Sequence, residues 1–158
     1  NQLDVNKEKV DVHDLIKIAV THVDLLVKDK GGYLKMILKA ESTEILADHF
    51  HLTNVIVNML DNAIKYSEGA PKIDISTENT AKHIIIKVKD QGIGMAKSVQ
   101  KNVFKKFYRE ETGNIHNVKG HGLGLAYVKK IVEIHQGEVY VESEKGIGST
   151  FTIKLPLI

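Results

Sequence analysis

Asn54, Asn58, Asp61, Asn62 and Lys65 recur at three- and four-residue spacing, so a helix through them carries them along one side. A face with no task is usually written in Lys, Glu and Gln, because each Asn in a helix interior costs about 0.5 kcal/mol or more relative to Ala. Repeated Asn therefore points to partners for the amides. The carbonyl oxygen is a hard ligand suited to Mg²⁺, and the NH₂ group can donate to phosphate. Taken alone, this stretch is explained about as well by a solvated helix face.

Three glycine-bearing segments extend the pattern. Asp90-Gln91-Gly92-Ile93-Gly94 follows an apolar run ending at Val88. A carboxylate at a strand end can accept a hydrogen bond from an exocyclic amine, which adenine offers where guanine has a carbonyl. Glycines beside it let backbone approach a flat base. Gly120-His121-Gly122-Leu123-Gly124-Leu125 stands directly before a helical pattern, where free N–H groups and the positive helix end can hold phosphates. It is neither a Walker A loop, lacking Gly-Lys-Ser/Thr, nor a dinucleotide fingerprint. Gly146-Ile147-Gly148-Ser149-Thr150-Phe151 leads into the last strand, and the hydroxyls of Ser149 and Thr150 could support an Asp90–adenine contact through water. Singly, these read as an Asp-Gly turn, a glycine cluster and a hairpin.

Positioning them requires a frame of helices and strands. The short apolar Val10–Val12 stretch precedes a helix, capped by Asp11 or Asp14, that runs to about Lys30 with Leu15, Ile16, Ala19, Val23, Leu26 and Val27 on one face. Gly31-Gly32 stops it. Tyr33 to Ala40 and Glu44-Ile45-Leu46 read as strands. A helix from Asp48 to Ser67 carries the apolar stripe Leu52, Val55, Ile56, Met59, Leu60 and Ala63 opposite the Asn-rich face. Strands at 73–76 and 83–88 pair around a Glu78-Asn79-Thr80 turn, and a short helix spans Ala96 to Phe107. The last helix covers Leu123 to His135, stopped by Gly137. Strands 138–144 and 149–155 close the chain through a Lys145-Gly146 turn. Segment 109–120 is polar and aperiodic, as expected of a loop that folds over a ligand. The order favours an α+β fold, with one layer of helices on a mixed, mostly antiparallel sheet.

Bulk properties narrow the function classes. The 158 residues, 42% hydrophobic, suffice for one domain with a real core. No apolar run approaches a membrane span. A net charge of +2, with basic and acidic residues intermingled, gives no case for nucleic acid. With no cysteine there is neither a disulfide framework nor a thiolate zinc site, and the eight histidines form no ligand set at metal spacing. A reducing, cytoplasmic setting fits this composition.

Together, in this order, the segments resemble the catalytic ATP-binding domain of sensor histidine kinases, in the superfamily that also holds Hsp90, MutL and type II topoisomerase ATPases. Asn58 to Tyr66 looks like its N box and Asp90 to Gly94 its first glycine box. Val103-Phe104-Lys105-Lys106-Phe107-Tyr108-Arg109 resembles its phenylalanine box. Gly120 to Leu125 and Gly146 to Phe151 resemble its later glycine boxes. The likeness covers about Val10 to Leu155. Gln91 and His121 depart from the residues common at those positions.

The resemblance implies a two-layer Bergerat sandwich over 10–158, with residues 1–9 ending a linker from an upstream dimerisation segment. It implies Mg-ATP as ligand. Asn58 would be the protein ligand to Mg²⁺, with Asn62 and Lys65 near the phosphates, Tyr66 beside the nucleotide, and Asp90 on the adenine amine beside Gly92, Ile93 and Gly94. Gly120 opens the second glycine box, in which Gly122, Leu123, Gly124 and Leu125 offer backbone to phosphate. Phe107 and Arg109 would belong to a mobile lid.

The family's phosphorylated histidine is followed closely by proline. Neither Pro71 nor Pro156 follows a histidine in that way, so the acceptor is expected on a separate segment. Partners implied are that segment and a response regulator, with this chain monomeric, the parent dimeric, and no membrane contact from these residues even where the parent is membrane-anchored. The superfamily's hydrolases carry a glutamate one turn before Asn58, where this chain has Asn54. Two rivals stay open: an anti-sigma-type serine kinase, and a non-catalytic nucleotide-binding or partner-docking module.

Overall fold

The computed structural model describes residues 4–105 and 122–158. The chain runs β1 (Glu8–Asp11), α1 (Val12–Asp29), β2 (Tyr33–Leu38), β3 (Glu44–Ala47), α2 (His49–Lys65), β4 (Lys72–Asn79), β5 (His83–Asp90), α3 (Lys97–Asn102), α4 (Gly122–Ile134), β6 (Glu138–Glu144) and β7 (Gly148–Pro156). Five strands form one sheet in the order β2-β4-β5-β7-β6, and β1 pairs with β3 in a small second sheet. Within the large sheet β2 and β4 are parallel and the remaining pairs antiparallel. The expected α+β, mostly antiparallel architecture is therefore present.

Side-chain alternation divides the sheet into a dry and a wet face. Ile73 and Ile75 of β4, Ile84, Ile86 and Val88 of β5, and Phe151, Ile153 and Leu155 of β7 are buried. Helix α1 packs on β2, α2 on β4 and β5, and α4 on β6, while α2 also touches both other long helices. The apolar stripe of α2, from Leu52 and Val55 through Met59 and Leu60, is almost wholly excluded from solvent. That burial fixes which face of α2 remains for polar work. Lys87 and Lys89 occupy the opposite face of the sheet, where Lys87 pairs with Glu78 at 3.1 Å.

Local signals explain the helix starts. The Asp11 carboxylate accepts the His13 N–H at 2.8 Å, and the Asp48 carboxylate accepts the His51 N–H at 2.9 Å, so each helix begins on a side-chain cap. Of the two caps expected for α1, Asp11 is the one used.

Several boundaries differ from the sequence expectation. Glu78 and Asn79 remain in β4, and the reversal falls on residues 80–82. The Asn79 side-chain amide oxygen, Oδ1, accepts the Glu41 and Ser42 N–H groups at 2.8 and 2.9 Å, so this residue, a turn former by type, instead ties down the loop before β3. Strand β2 ends at Leu38 rather than Ala40, and α3 occupies only Lys97–Asn102. The stop of α4 is also displaced. Gln136 adopts the left-handed conformation, φ 58°, and Gly137 donates its N–H to the Val132 carbonyl at 2.9 Å, a Schellman closure with Gln136 in the position glycine usually holds.

Candidate functional site

Asp90 ends β5 on the dry face of the sheet, 4% exposed. Its Oδ1 accepts the Gly92 N–H at 2.9 Å. Burial raises the carboxyl above its ordinary value, against the opposing pull of the Gly92 and Ser149 N–H groups. A buried acid holding few donors is costly unless it gains another hydrogen-bond donor. This chemistry fits an incoming amine.

The backbone around Asp90 is packed too closely for side chains. A Cβ at Gly92 would run into the Tyr66 carbonyl, and one at Gly94, φ +69°, would meet the Glu144 carbonyl. The Ile93 N–H donates to that Tyr66 carbonyl at 3.0 Å, and the Ile93 carbonyl accepts the Gly146 N–H. The segment after β5 is thereby clamped between the end of α2 and the β6–β7 turn. A Cβ at Gly148, in turn, would run into the Asp90 carbonyl. Two glycine segments more than fifty residues apart are thus one structure.

Ser149 pairs with Asp90 in the β5–β7 register and lies on the same face. Its hydroxyl is 2.7 Å from that of Ser143, which in turn accepts the Met95 N–H at 2.8 Å. Thr150 alternates to the opposite face, beside Lys89 and Glu142. The expected pair of hydroxyls at Asp90 is therefore reduced to Ser149.

On α2, Asn54, Asn58, Asp61, Asn62 and Lys65 are all half-buried on the side away from the apolar stripe. Lys65 Nζ forms an ion pair with Asp61 at 2.8 Å. Tyr66 ends the helix, its N–H donating to the Asn62 carbonyl at 3.0 Å, and so stands between the Asn-rich face and the Asp90 turn. The amide oxygens of Asn58 and Asn62 are a donor type that suits Mg²⁺.

Gly124 and Leu125 lie in the first turn of α4, with Leu125 buried. Among the described residues, a Cβ at Gly124 would meet no atom within 4 Å. Packing therefore does not demand glycine there, although glycine in a helix costs about 1 kcal/mol relative to Ala. Gly122 begins the same helix. Phe107, Arg109 and Gly120, like the lid expected over 109–120, lie outside the described residues. Just before them, Phe104 stacks edge-on against Phe151, ring centroids 5.9 Å apart, anchoring that end to β7.

The sequence reading missed Tyr127, His51 and Ser143. Each makes its contact across elements far apart in the chain, and no local pattern marks it. Among the described residues no cluster of acidic or histidine side chains could hold a metal by itself, and no helix is long and apolar enough to cross a membrane.

The layered fold, the Asn-bearing helix and the buried acid between glycine turns define a nucleotide-binding class of domain. Residues 47–158 match the family described as histidine kinase-, DNA gyrase B-, and HSP90-like ATPase, and the chain belongs to that family. Its relatives are sensor histidine kinases. It is 42% identical over 96% of its length to sensor protein RprX of Bacteroides fragilis, covering 30% of that protein. It is 39% identical over 71% of its length to the sensor-like histidine kinase SenX3 of Mycolicibacterium smegmatis, covering 29% of it. The chain thus spans about a third of the length of these curated relatives. Among solved structures, the catalytic domain of histidine kinase ThkA superposes with a TM-score of 0.84 over 96% of both chains, at 22% identity, a likeness of fold. ThkA has also been solved in complex with the response regulator protein TrrA.

Proposed function

We propose that this chain binds Mg-ATP and presents its γ-phosphate to a histidine on a separate dimerisation segment, as the catalytic domain of a two-component sensor kinase. The observation that carries the reading is the buried Asp90 carboxylate, raised by burial and framed by glycines whose Cβ positions are filled by backbone. In this reading Asp90 accepts the adenine 6-amino group, and Gly92, Ile93 and Gly94 supply the flat wall beside the base. Ser149 supports Asp90, while Thr150, on the other face, has no part.

Asn58 holds Mg²⁺ through its carbonyl oxygen, and Asn62 and Lys65 lie toward the phosphates, with Asp61 restraining Lys65. Tyr66 borders the nucleotide. The backbone of Gly122, Leu123, Gly124 and Leu125 donates to phosphate oxygens at the positive end of α4. The metal supplies charge neutralisation on the phosphates. The residues of this chain bind, orient and polarise, so the rate gain comes from holding two reactants together. Asn54, at the place where a carboxylate would activate water, gives no general base for hydrolysis.

The partners of this reading are the upstream acceptor segment and a response regulator. Titration calorimetry of ATP and GTP against the chain tests it. Binding of ATP with strong preference over GTP is expected; equal affinity for both, or none for either, would remove Asp90 as the adenine reader.

A further inference from the structure

The turn that begins at Asp90 is soft by composition and fixed by its contacts. Gly92 and Gly94 let neighbouring backbone come close on both sides, and the same two residues have the most conformational freedom to lose on folding. At the end of the turn Met95 is buried, and both of its backbone groups are held by side chains. Its N–H donates to the Ser143 hydroxyl at 2.8 Å, and its carbonyl accepts from Gln100 Nε2 at 2.9 Å.

The Ser143 hydroxyl is saturated. It donates its proton to the Gly148 carbonyl at 2.9 Å. Having no other proton, it must accept from the Ser149 hydroxyl, 2.7 Å away, as it accepts from Met95. Gln100 Nε2 gives a further hydrogen bond to the Ser143 carbonyl at 3.0 Å. Both of its partners are carbonyls, which only accept, so the NH₂ end of the amide must face them. These bonds join the turn after β5, the edge strand β6 and helix α3 at one point. That point lies against the acid. Ser149 is the partner of Asp90 in the strand register, and a Cβ at Gly148 would run into the Asp90 carbonyl. One hydroxyl thus ties Met95, five residues after Asp90, to the two β7 residues that flank Asp90.

We propose that Ser143 and Gln100 are positioning residues, which clamp the 90–95 turn to β6 and β7 and hold the Asp90 carboxylate in place for its hydrogen-bond partner. A carboxylate fixed in advance favours a base that brings an amine and rejects one that brings a carbonyl, because it cannot turn aside. On a loosened turn the acid can swing toward water, so selectivity falls together with affinity. The effect on nucleotide rests on the function proposed above, whereas the clamp itself does not.

The test reads the turn first and the nucleotide second. Amide hydrogen exchange in nucleotide-free protein follows Gly92 and Ile93, whose acceptors are the Asp90 carboxylate and the Tyr66 carbonyl rather than either clamp residue. Ser143→Ala should speed both amides severalfold beyond any change at Ile75 and Ile86 in the sheet core. Gln100→Leu, which leaves the strands untouched, should do the same, and Ser143→Thr, which keeps the hydroxyl, should retain the parent rates. In Mg-ATP and Mg-GTP titrations, Ser143→Ala should weaken ATP binding about two- to tenfold, the span of one neutral hydrogen bond. Its preference for ATP over GTP should narrow, with Ser143→Thr again like the parent. Exchange at Gly92 and Ile93 that changes only in step with the core, or a loss shared equally by ATP and GTP, would overturn the proposal. A parent that binds neither nucleotide, or both equally, would instead overturn the proposed function, and the exchange rates would still decide the clamp.

Discussion

The His135 ring, 2% exposed at the end of α4, accepts the Asp48 N–H through Nε2 at 2.9 Å, joining the end of one helix to the cap of another. Its Nδ1 lies 2.7 Å from the Ile131 carbonyl, which fixes that nitrogen as the donor. A second proton on Nε2 would break the Asp48 bond. Burial lowers the His135 pKa below its ordinary 6.5, outweighing the raising effect of the Ile131 carbonyl. Burial likewise lowers His13, beside Thr77.

These two histidines predict the acid limb of stability. A depressed folded-state value means that the unfolded chain binds the extra protons first as pH falls. Their contribution is complete above about pH 6.5 and is lost as pH drops through the lower folded values. Asp48 adds a second loss further down: burial alone would raise it, but the His51, Asn6 and Phe50 N–H groups hold it below its ordinary 3.8. Urea midpoints should therefore fall between pH 7 and pH 5, and His135→Gln should flatten that slope. A parent midpoint constant over this range would contradict the assignment.

Asp90→Asn should separate binding from stability. The Asp90 pKa is raised, so its ionised form opposes folding at neutral pH; the stability linked to it is present below the ordinary 3.8 and lost as pH rises through the folded value. Removing the charge should leave the thermal midpoint unchanged or higher. ATP affinity should fall by roughly 1.5–3 kcal/mol, the scale of one charge-assisted hydrogen bond. Calorimetry beside a melting curve checks both; unchanged affinity would refute the adenine contact.

The amide face of α2 and the glycine turns beside Asp90 are visible in sequence because their cost is local: a poor helix former repeated at helical spacing, and paired glycines at the end of an apolar strand. The helix and sheet layers were legible from apolar period. What escaped depends on distant pairing. Ser143 gains its role only when β6 brings it to the Met95 N–H, and Tyr127 only when α4 meets α2. Sheet register, invisible in sequence, turns Thr150 away from Asp90. Asn79 is a turn former by type, yet its side-chain Oδ1 is bonded by the N–H groups of Glu41 and Ser42 in a distant loop.

Asn58→Ala should reduce the gain in nucleotide affinity on adding Mg²⁺ more than it reduces binding in EDTA, since only the metal needs the carbonyl oxygen. The fold should persist, because the buried stripe of α2 is on the other side. Titrations with and without Mg²⁺ decide the matter. An equal Mg²⁺ increment in variant and parent would dismiss Asn58 as the ligand.

Thr152, fully buried on β7, has a hydroxyl with no hydrogen-bond partner among the described residues. An unpaired buried hydroxyl costs about 1–3 kcal/mol, and valine has nearly the same shape. Thr152→Val should thus stabilise the chain by about 1 kcal/mol in urea denaturation while leaving nucleotide affinity alone. A destabilised variant would mean that the hydroxyl has a partner in solution.

The central claim is tested most directly by incubating the chain with γ-labelled ATP, alone and with the acceptor helical segment of its own parent protein supplied in trans. The account predicts no stable label on the chain alone and negligible phosphate release, because bound ATP gains little without a positioned nucleophile, worth roughly 7–11 kcal/mol of barrier when held. With the segment present, label should appear on the segment only, labile in acid and stable in base, as a phosphohistidine is. Rapid phosphate release from the chain alone, or acid-stable label on a serine of a partner, would show that the chemistry is hydrolysis or serine phosphorylation instead.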